Sequence, residues 1–414
     1  GAPFSLHEAS EVGTADIASV EFLRNGDHST WAGTLRIVDS VFIGNRTTGD
    51  GGALHVAGNL TIEGSRFHSN HAAGSGGALF ARAGRITLRR SEFGENSAAV
   101  GGGAASFVRS AEDRVPLQVE IRYSNFQRNS AAAGGAISVA ASPTDKLVIR
   151  AAVINANTAR GATDVPGSGG GLSLGGGVRG DLRRVLLLDN VATADGAALY
   201  QSHAVDSGRI LLSNSIVARN RNQASIKGAL SVTNADLVHT TVTRNDLGLA
   251  LVPVPQMFGH GARLFFGLVT LKNSLIVAND AGNCRLFPFN MRIEASAANL
   301  QFPAAGCTEA IRQEDPKLDD FFIAAPGSPA RGAGEPRICN ESPVESVDLL
   351  GERRRTGEAC TLGAIEGTFE KQAMRRLANF RSPEELPLLL RGLRDLLVAR
   401  GGARKPELPI QPNP

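Results

Sequence analysis

Short apolar runs recur along most of the chain, and each run is closed by asparagine or glycine. One phrase reads small residue, any residue, apolar residue, two residues, asparagine, as in Ser40-Val-Phe42-Ile-Gly-Asn45. Its asparagine recurs at Asn25, Asn45, Asn70, Asn96, Asn129, Asn157, Asn190, Asn220, Asn245 and Asn279. The spacing drifts between 20 and 34 residues, which excludes a rigid helical repeat and indicates coils with constant strands and variable loops.

A second phrase, Gly-Gly-Ala followed by leucine or isoleucine, comes after several copies of the first, as in residues 51–54 and 76–79. The unit 51–70 then splits into three short, partly alternating segments at 53–56, 60–63 and 65–67. Segments of this kind, each pairing with its equivalent in the next coil, predict a right-handed parallel β-helix. The expected fold is all-β, with about ten coils and three short strands per coil.

The residues of the repeat fit such coils. Asparagine tolerates the left-handed backbone of a tight corner, and its amide can hydrogen-bond to the asparagine one coil away. The glycine pair provides a corner without Cβ atoms. The phenylalanine of the early copies is expected to point inward and stack, and later copies replace it by Ile154, Leu187, Val217, Val242 and Ile276. We therefore interpret the repeat residues as scaffold and not as a binding site.

The paired phrases, FxxN and GGA(I/L), resemble the repeats of the chlamydial polymorphic outer membrane proteins. The resemblance covers about residues 25–279 and rests on four strict tandem copies. Related repeats occur in bacterial surface β-helix proteins, so the resemblance implies an exported bacterial protein.

The pattern changes after Asn279. An SPAxxxG phrase at 328–334 precedes a DxxG-x-R phrase with Asp348, Gly351 and Arg353, and a C-x-x-GA-x-E phrase ends at Glu366. This region resembles the C-terminal part of choice-of-anchor Q proteins, which implies a terminal module of an exported protein. We find no sortase motif and no hydrophobic tail after it.

All four cysteines lie in the last third of the chain, and none forms a CxxC pair, so a zinc ribbon is not expected. The simplest pairing is sequential, Cys284–Cys307 and Cys339–Cys360, and it would imply an oxidising compartment. Four buried free thiols are the alternative. No metal and no cofactor is predicted.

The ends differ from the repeats. We expect an N-terminal cap at 1–18, repeats at 19–282, C-terminal coils with the anchor-like module at 283–369, a helical extension at 370–402 and a disordered proline-rich tail at 403–414. One face of the predicted helix carries Leu386, Leu389, Leu390, Leu393, Leu396 and Leu397. This helix either packs against the last coil or docks on a partner or an anionic membrane.

Charge and composition narrow the function classes. The net charge is +3, with 48 glycines and 5% aromatic residues, and no basic stripe interleaved with aromatics is apparent, so nucleic acid is not an expected partner. No segment has the length of a transmembrane helix, and no charged, apolar leader is present.

A catalytic set is weakly indicated by Asp236, Asp246 and His260, whose order resembles polygalacturonase-type glycosidases. The two aspartates are ten residues apart, less than half a coil, so we do not expect them to share one face. Asp189 and Asp195, with His203 and Arg219, are the loose alternatives for a calcium-dependent lyase.

The sequence therefore predicts a non-catalytic, exported β-helix protein, located at the cell surface, outside the cell or in the periplasm. It would be a rigid scaffold for adhesion or assembly, with a cell-surface protein or glycan as partner and a membrane contact only through the leucine helix. The alternative is a polysaccharide lyase or glycosidase that acts on an acidic polysaccharide. Specificity is expected in the long-coil segments 111–115 and 160–169 or in the leucine helix.

Overall fold

The chain folds as a parallel β-helix, as its repeats predict. The computed structural model describes residues 13–26, 31–82, 84–109, 113, 115–202, 208–223, 228–251, 267–286, 291–354 and 359–366. Within these ranges every pairing between named strands is parallel and joins a strand to its equivalent in a neighbouring coil.

The strands stack into four ladders, which we label A to D in the order of each coil. Ladder A follows the glycine corner and contains Leu79–Arg82, Ala105–Val108, Ile137–Ala141, Leu172–Gly176, Leu199–Gln201, Leu230–Val232, Leu249–Leu251 and Cys284–Leu286. Ladder B contains Gly13–Ala18, Trp31–Val38, Arg85–Arg89, Gln118–Arg122, Ile210–Ser213, Asn234–Val238, Leu268–Lys272 and Arg292–Ala295. The strand Leu54–Glu63 runs through ladders A and B.

Ladder C carries the apolar position of the repeat and contains Glu21–Leu23, Val41–Ile43, Arg66–His68, Glu92–Gly94, Asn125–Gln127, Ile216–Ala218, Thr241–Thr243, Leu275–Val277, Leu300–Phe302 and Arg312–Gln313. Two long strands, Lys146–Asn155 and Arg179–Leu188, run through ladders B and C. Ladder D follows the asparagine and contains Arg46–Thr47, His71–Ala72, Ser97–Ala98, Ser130–Ala131, Thr158–Ala159, Val191–Ala192 and Arg221–Asn222.

The coil differs from the predicted three-strand unit in two ways. Ladder D is a fourth, two-residue ladder that the sequence pattern does not predict, because two residues are too few to show alternation. The predicted segments 53–56 and 60–63 form one strand, Leu54–Glu63. Their junction is Gly58, with φ of 147°, where a Cβ would lie 2.2 Å from the carbonyl oxygen of Gly33.

The interior is one continuous apolar core. The rings of Phe22, Phe42, Phe67, Phe93 and Phe126 stack with centroids 4.5 to 4.8 Å apart. The same column continues through the predicted aliphatic replacements Ile154, Leu187, Val217, Val242 and Ile276. The stack follows from parallel register, which places equivalent inward positions one strand spacing apart.

The asparagines Asn45, Asn70, Asn96, Asn129, Asn157, Asn190, Asn220, Asn245 and Asn279 form a buried column. At each step the backbone N–H and Nδ2 of one asparagine donate to Oδ1 of the next, as Asn70 does to Asn96 at 3.0 and 2.9 Å. Nδ2 also donates to a ladder C carbonyl, for example that of Phe42. The side-chain amide therefore joins three successive coils.

The left-handed corner is not at the asparagine, contrary to the expectation from the sequence. It is at the residue before it, for example Ser69 with φ of 55° and Glu95 with φ of 57°. The corner residue turns the chain, so that the asparagine can direct its amide into the coil. The glycine pair behaves as predicted: Gly76 has φ of 70°, and a Cβ on Gly77 would lie 2.1 Å from the carbonyl oxygen of Gly103.

Both sequential disulfides are present, Cys284–Cys307 and Cys339–Cys360, with Cα atoms 4.7 and 6.2 Å apart. Within the described residues no cysteine is free. The first disulfide joins a ladder A strand to the chain after Leu300–Phe302. The second joins the helix Pro336–Asn340 to the segment 359–366.

The two ends are described only in part. The strand Gly13–Ala18 already pairs with Trp31–Val38, so pairing begins inside the range expected for the cap. The predicted extension at 370–402, with Leu386, Leu389, Leu390, Leu393, Leu396 and Leu397, and the tail at 403–414 lie outside the described residues. In the described part of the chain, no helix combines the length and the apolar character needed to span a bilayer.

Candidate functional site

Asp236 is an outward-facing residue of ladder B that is held in an ion pair. Both Nε and Nη2 of Arg209 donate to its carboxylate, and Nη2 of Arg209 also donates to Oγ1 of Thr270 at 3.0 Å. Burial raises the pKa of Asp236, but the hydrogen bonds and charge of Arg209 outweigh this, so the pKa lies below its usual value. A carboxyl of this kind stays ionised and is not suited to be a general acid.

Asp246 lies on another part of the coil, directly after Asn245. Its carboxylate accepts hydrogen bonds from Nη1 of Arg221 at 3.1 Å and from the backbone N–H of Asn222 at 2.8 Å, both in ladder D. A strand of ladder C, Thr241–Thr243, separates it in the chain from Asp236, and among the described residues the two aspartates bind different arginines, Arg209 and Arg221. His260, the third member of the weak catalytic set, lies outside the described residues.

Of the alternative residues for a calcium-dependent lyase, Asp189 and Arg219 form an ion pair with each other, and His203 is not among the described residues. The guanidinium of Arg219 binds the carboxylate of Asp189 through two hydrogen bonds of 2.8 and 2.6 Å. In the long-coil segment 160–169, an isolated antiparallel bridge between Ala162 and Val165 closes a short turn.

The described residues after the last coil fold back along the outside of the β-helix; we call residues 315–366 the C-terminal module. Its apolar side chains cover the outward positions of ladder C in three successive coils. This buried interface contains Ala151, Val153, Leu186, Leu188, Ile216, Ala218, Phe322, Ile323, Leu349, Leu350, Ala364 and Ile365. The interface explains why both faces of Leu186–Leu188 are apolar.

The module is attached to the corner between ladders B and C, through Arg184, Asn214, His239 and Asn273 in four successive coils. Nε of Arg184 donates to the carbonyl oxygen of Leu349 at 2.9 Å. The side chain of Asn273 accepts from the backbone N–H of Glu335 at 3.0 Å. No motif in the sequence marks these four residues as functional, although each directly precedes the first residue of a repeat phrase.

Arg354 is at the centre of the attachment, and its side chain is fully buried. Its guanidinium pairs with Glu366 at 3.1 Å and donates to Oδ1 of Asn214 at 2.8 Å and to the carbonyl oxygen of Gly363 at 2.9 Å. Asp348, also buried, accepts the backbone N–H of Glu366 at 3.0 Å. Burial lowers the pKa of Arg354, and the nearby carboxylates counteract this effect.

The arginine that enters the interface lies directly after the anchor-like phrase and outside it. The DxxG-x-R phrase ends at Arg353, which is exposed, whereas Arg354 is buried. Positions 353 to 355 are three consecutive arginines, which are indistinguishable by type, and only the packing shows that Arg354 enters the interface.

His239, Cys339 and Cys360 bring one nitrogen and two sulfur atoms within 4.8 Å of one another, all buried. These are zinc-type ligands, but the two sulfurs are bonded to each other, so neither is a thiolate that could bind a metal. Nε2 of His239 accepts from Nδ2 of Asn273 at 3.0 Å, and Nδ1 faces the carbonyl oxygen of Gly363 at 3.3 Å. The neutral ring with its proton on Nδ1 satisfies both contacts.

We therefore expect acid to lower the stability of the C-terminal module. Burial, and then the charge of Arg354, lower the pKa of His239 well below 6.5, so below about pH 6.5 the unfolded chain binds a proton that the folded chain excludes. Stability should fall with decreasing pH by up to about 1.4 kcal/mol per pH unit from this group. Urea unfolding at pH 7 and pH 5.5 would measure it, with a smaller loss expected in His239→Gln.

A control for this prediction is His68→Gln, because His68 is partly exposed and lies outside the module interface. That variant should keep the acid sensitivity of the parent chain. An unchanged pH dependence in His239→Gln would assign the acid effect to other groups.

The outward face of ladder B carries aligned basic residues. Arg89, Arg122, Arg150 and Arg183 follow one another in register through four successive coils, and we call them the arginine column. Four positions earlier on the same strands, a second column contains Arg85, Gln118, Lys146 and Arg179. From the sequence we expected no basic stripe interleaved with aromatic residues, and these two columns are a stripe of a different kind, made of basic residues and Gln118 alone.

The fold and its side-chain columns define a parallel β-helix whose early coils repeat the FxxN and GGA(I/L) phrases. The family model described as the Chlamydia polymorphic membrane protein repeat matches residues 39–57, which contain one copy of each phrase. No curated protein and no solved structure matches the chain. The resemblance of the C-terminal module to choice-of-anchor Q proteins stays a prediction.

Proposed function

We propose that this protein is an exported, non-catalytic β-helix scaffold of the bacterial cell surface, whose outer faces serve adhesion or assembly. The observation that carries the proposal is the continuity of the interior. The aromatic-aliphatic column and the asparagine column pass through the repeat coils without a break, so the repeats serve to build a rod.

Two further observations support export to the surface. Both disulfides are closed, and structural disulfides persist in oxidising compartments. The matched repeat is named for a membrane protein of Chlamydia, which supports a surface location for this chain. The partner would be a cell-surface protein or glycan.

The location is tested by adding protease to intact cells that express the chain. We expect cleavage of the chain while a cytosolic marker protein stays intact. Maleimide labelling of the denatured chain should require prior reduction, because all four cysteines are paired. Protection of the chain in intact cells, with cleavage only after lysis, would overturn the surface location.

The non-catalytic part of the proposal has a separate test. Incubation of the protein with polygalacturonate should release no reducing ends above buffer. Release that disappears in Asp236→Ala would overturn this part and favour the polysaccharide-cleaving alternative. The variant Asp280→Ala serves as a control, because Asp280 is exposed and outside both candidate sets.

A further inference from the structure

The arginine column and the second column lie side by side on the outward face of ladder B. Outward and inward positions alternate along these strands, as the exposed and buried residues of Arg85–Arg89 show. Parallel strands are about 4.8 Å apart, so four coils extend each column over about 14 Å, and four residues along a strand separate the columns by about 13 Å.

The charge on this face is far from balanced. The four strand segments 85–89, 118–122, 146–150 and 179–183 contain seven basic residues and two acidic ones, Glu120 and Asp181. Their balance of +5 exceeds the net charge of +3 for the whole chain. This face is therefore a local concentration of positive charge on the β-helix.

Stacking like charges on adjacent strands is unfavourable for the isolated sheet. The structure compensates only part of this cost: Nε of Arg122 donates to Glu120, and Nε of Arg183 donates to Asp181 at 2.7 Å. At the last coil Arg183 also pairs with Glu345 of the C-terminal module at 3.1 Å. Among the described residues, the module therefore contacts the arginine column at the end formed by Arg183.

Two members of the arginine column have unused donors. Nε of Arg89 and Nε of Arg150 are buried and have no hydrogen-bond partner within the described residues. Arg150 approaches Asp181 only at 3.8 Å, through Nη2. These Nε atoms are buried and cannot reach a ligand, so the exposed ends of the guanidinium groups would make the contact; the side chain of Arg122 is 35% exposed and that of Arg150 is 40% exposed. The end of a guanidinium group is suited to bind a carboxylate or sulfate group in a planar, two-point contact.

We propose that this face binds a linear acidic polysaccharide that lies along the axis of the β-helix. A linear polyanion repeats its charge along one direction, as the columns do. A nucleic acid strand would also repeat its charge, but it usually stacks its bases on aromatic side chains. The other outward positions of these strands are Thr87, Glu120, Val148 and Asp181, so no aromatic platform is present among them. This inference deepens the proposed function, because it names the class of surface partner.

The test uses the whole chain and two probes, heparin for sulfate groups and polygalacturonate for carboxylates. The stripe variant combines Arg89→Gln, Arg122→Gln and Arg150→Gln. The control variant combines Arg66→Gln, Arg128→Gln and Arg312→Gln, which removes the same charge from exposed arginines elsewhere. Circular dichroism spectra of both variants should match the parent.

We expect the stripe variant to bind at least one probe about tenfold more weakly than the parent and to elute from immobilised heparin at lower salt. The control variant should keep the affinity of the parent. The probe that binds more tightly identifies sulfate or carboxylate as the preferred anion, and binding should weaken as salt rises.

Any one of three results would overturn the inference. The first is that neither probe binds at low salt, and the second is that both variants lose affinity equally, which would indicate attraction by net charge alone. The third is that a single-stranded DNA of equal charge binds more tightly than the probes through the stripe. These results are independent of the protease test on intact cells. Failure of the surface location and failure of the polysaccharide site are therefore distinguishable.

Discussion

Replacing Arg354 with methionine is expected to lower the free energy of unfolding of the C-terminal module by about 3–5 kcal/mol. Methionine has a similar length but no charge and no donors. The buried carboxylates of Glu366 and Asp348 would lose their cation, and Oδ1 of Asn214 would lose its donor. Removing one partner of a buried ion pair costs more than the pair contributes, because the other charge stays buried.

Denaturant unfolding and limited proteolysis of the region 315–366 would measure the effect. Arg353→Met is the matched control: it changes the neighbouring, exposed arginine, and we expect less than about 0.5 kcal/mol. If both variants unfold at the same denaturant concentration, the buried network does not hold the module.

A double-mutant cycle would show that the network crosses between the module and the β-helix. Asn214→Ala alone removes one hydrogen bond to a charged group, for which we expect about 1.5–3 kcal/mol. Its effect should shrink strongly in the Arg354→Met background, because the two residues share that bond. Additive effects would mean that Asn214 acts independently of Arg354.

Replacing Asn96 with alanine is expected to cost about 3 kcal/mol or more and to weaken the coils on both sides. Oδ1 of Asn96 accepts two hydrogen bonds from Asn70, and its Nδ2 donates to Phe67 and Asn129 at 3.0 Å each. Alanine would leave the backbone N–H of Asn70 buried without its acceptor, and it would remove one donor each from the carbonyl oxygen of Phe67 and from Oδ1 of Asn129. A buried group that loses its partner carries a penalty of about 1–3 kcal/mol, and the other lost hydrogen bonds add to it.

Hydrogen exchange locates this effect, because the amide of Asn70 should exchange much faster in Asn96→Ala. The matched control is Asn125→Ala, since Asn125 faces outward on ladder C and its Oδ1 has no partner within the described residues. That variant should change stability by less than about 0.5 kcal/mol. Unchanged protection of Asn70 in Asn96→Ala would contradict the role of the asparagine column.

The repeat units and their stacking could be predicted because they are encoded locally. Each coil repeats the same small-apolar-asparagine phrase, and each glycine pair marks a corner where a Cβ would meet backbone. Ladder D and the left-handed residue before each asparagine could not be predicted in this way. The strands of ladder D are two residues long, which is too short to show a periodicity. The corner residues Ser69, Glu95 and Ala156 share a positive φ angle but no side-chain chemistry.

The environments of the candidate site residues, in contrast, could not be predicted from the sequence. Asp236 and Asp246 are acidic residues that the sequence singles out as candidates, yet the structure gives them separate arginine partners, Arg209 and Arg221. His239 and Arg354 are both buried in the module interface, and burial lowers the pKa of each, yet neither belongs to a motif that the sequence pattern reveals. Their burial depends on a segment that returns more than 100 residues later in the chain, as the contact between Asn214 and Arg354 shows.

The sequence alone determined the solenoid and its columns of phenylalanine and asparagine, and it favoured the sequential pairing of the cysteines without excluding free thiols. Only the tertiary structure decided what lies on the outer faces. Arg89, Arg122, Arg150 and Arg183 are 28 to 33 residues apart in the chain, at intervals that variable loops make irregular. Parallel pairing aligns equivalent strand positions whatever the length of the loops between them, so the four arginines lie about one strand spacing apart. This alignment creates a basic stripe that no local pattern contains.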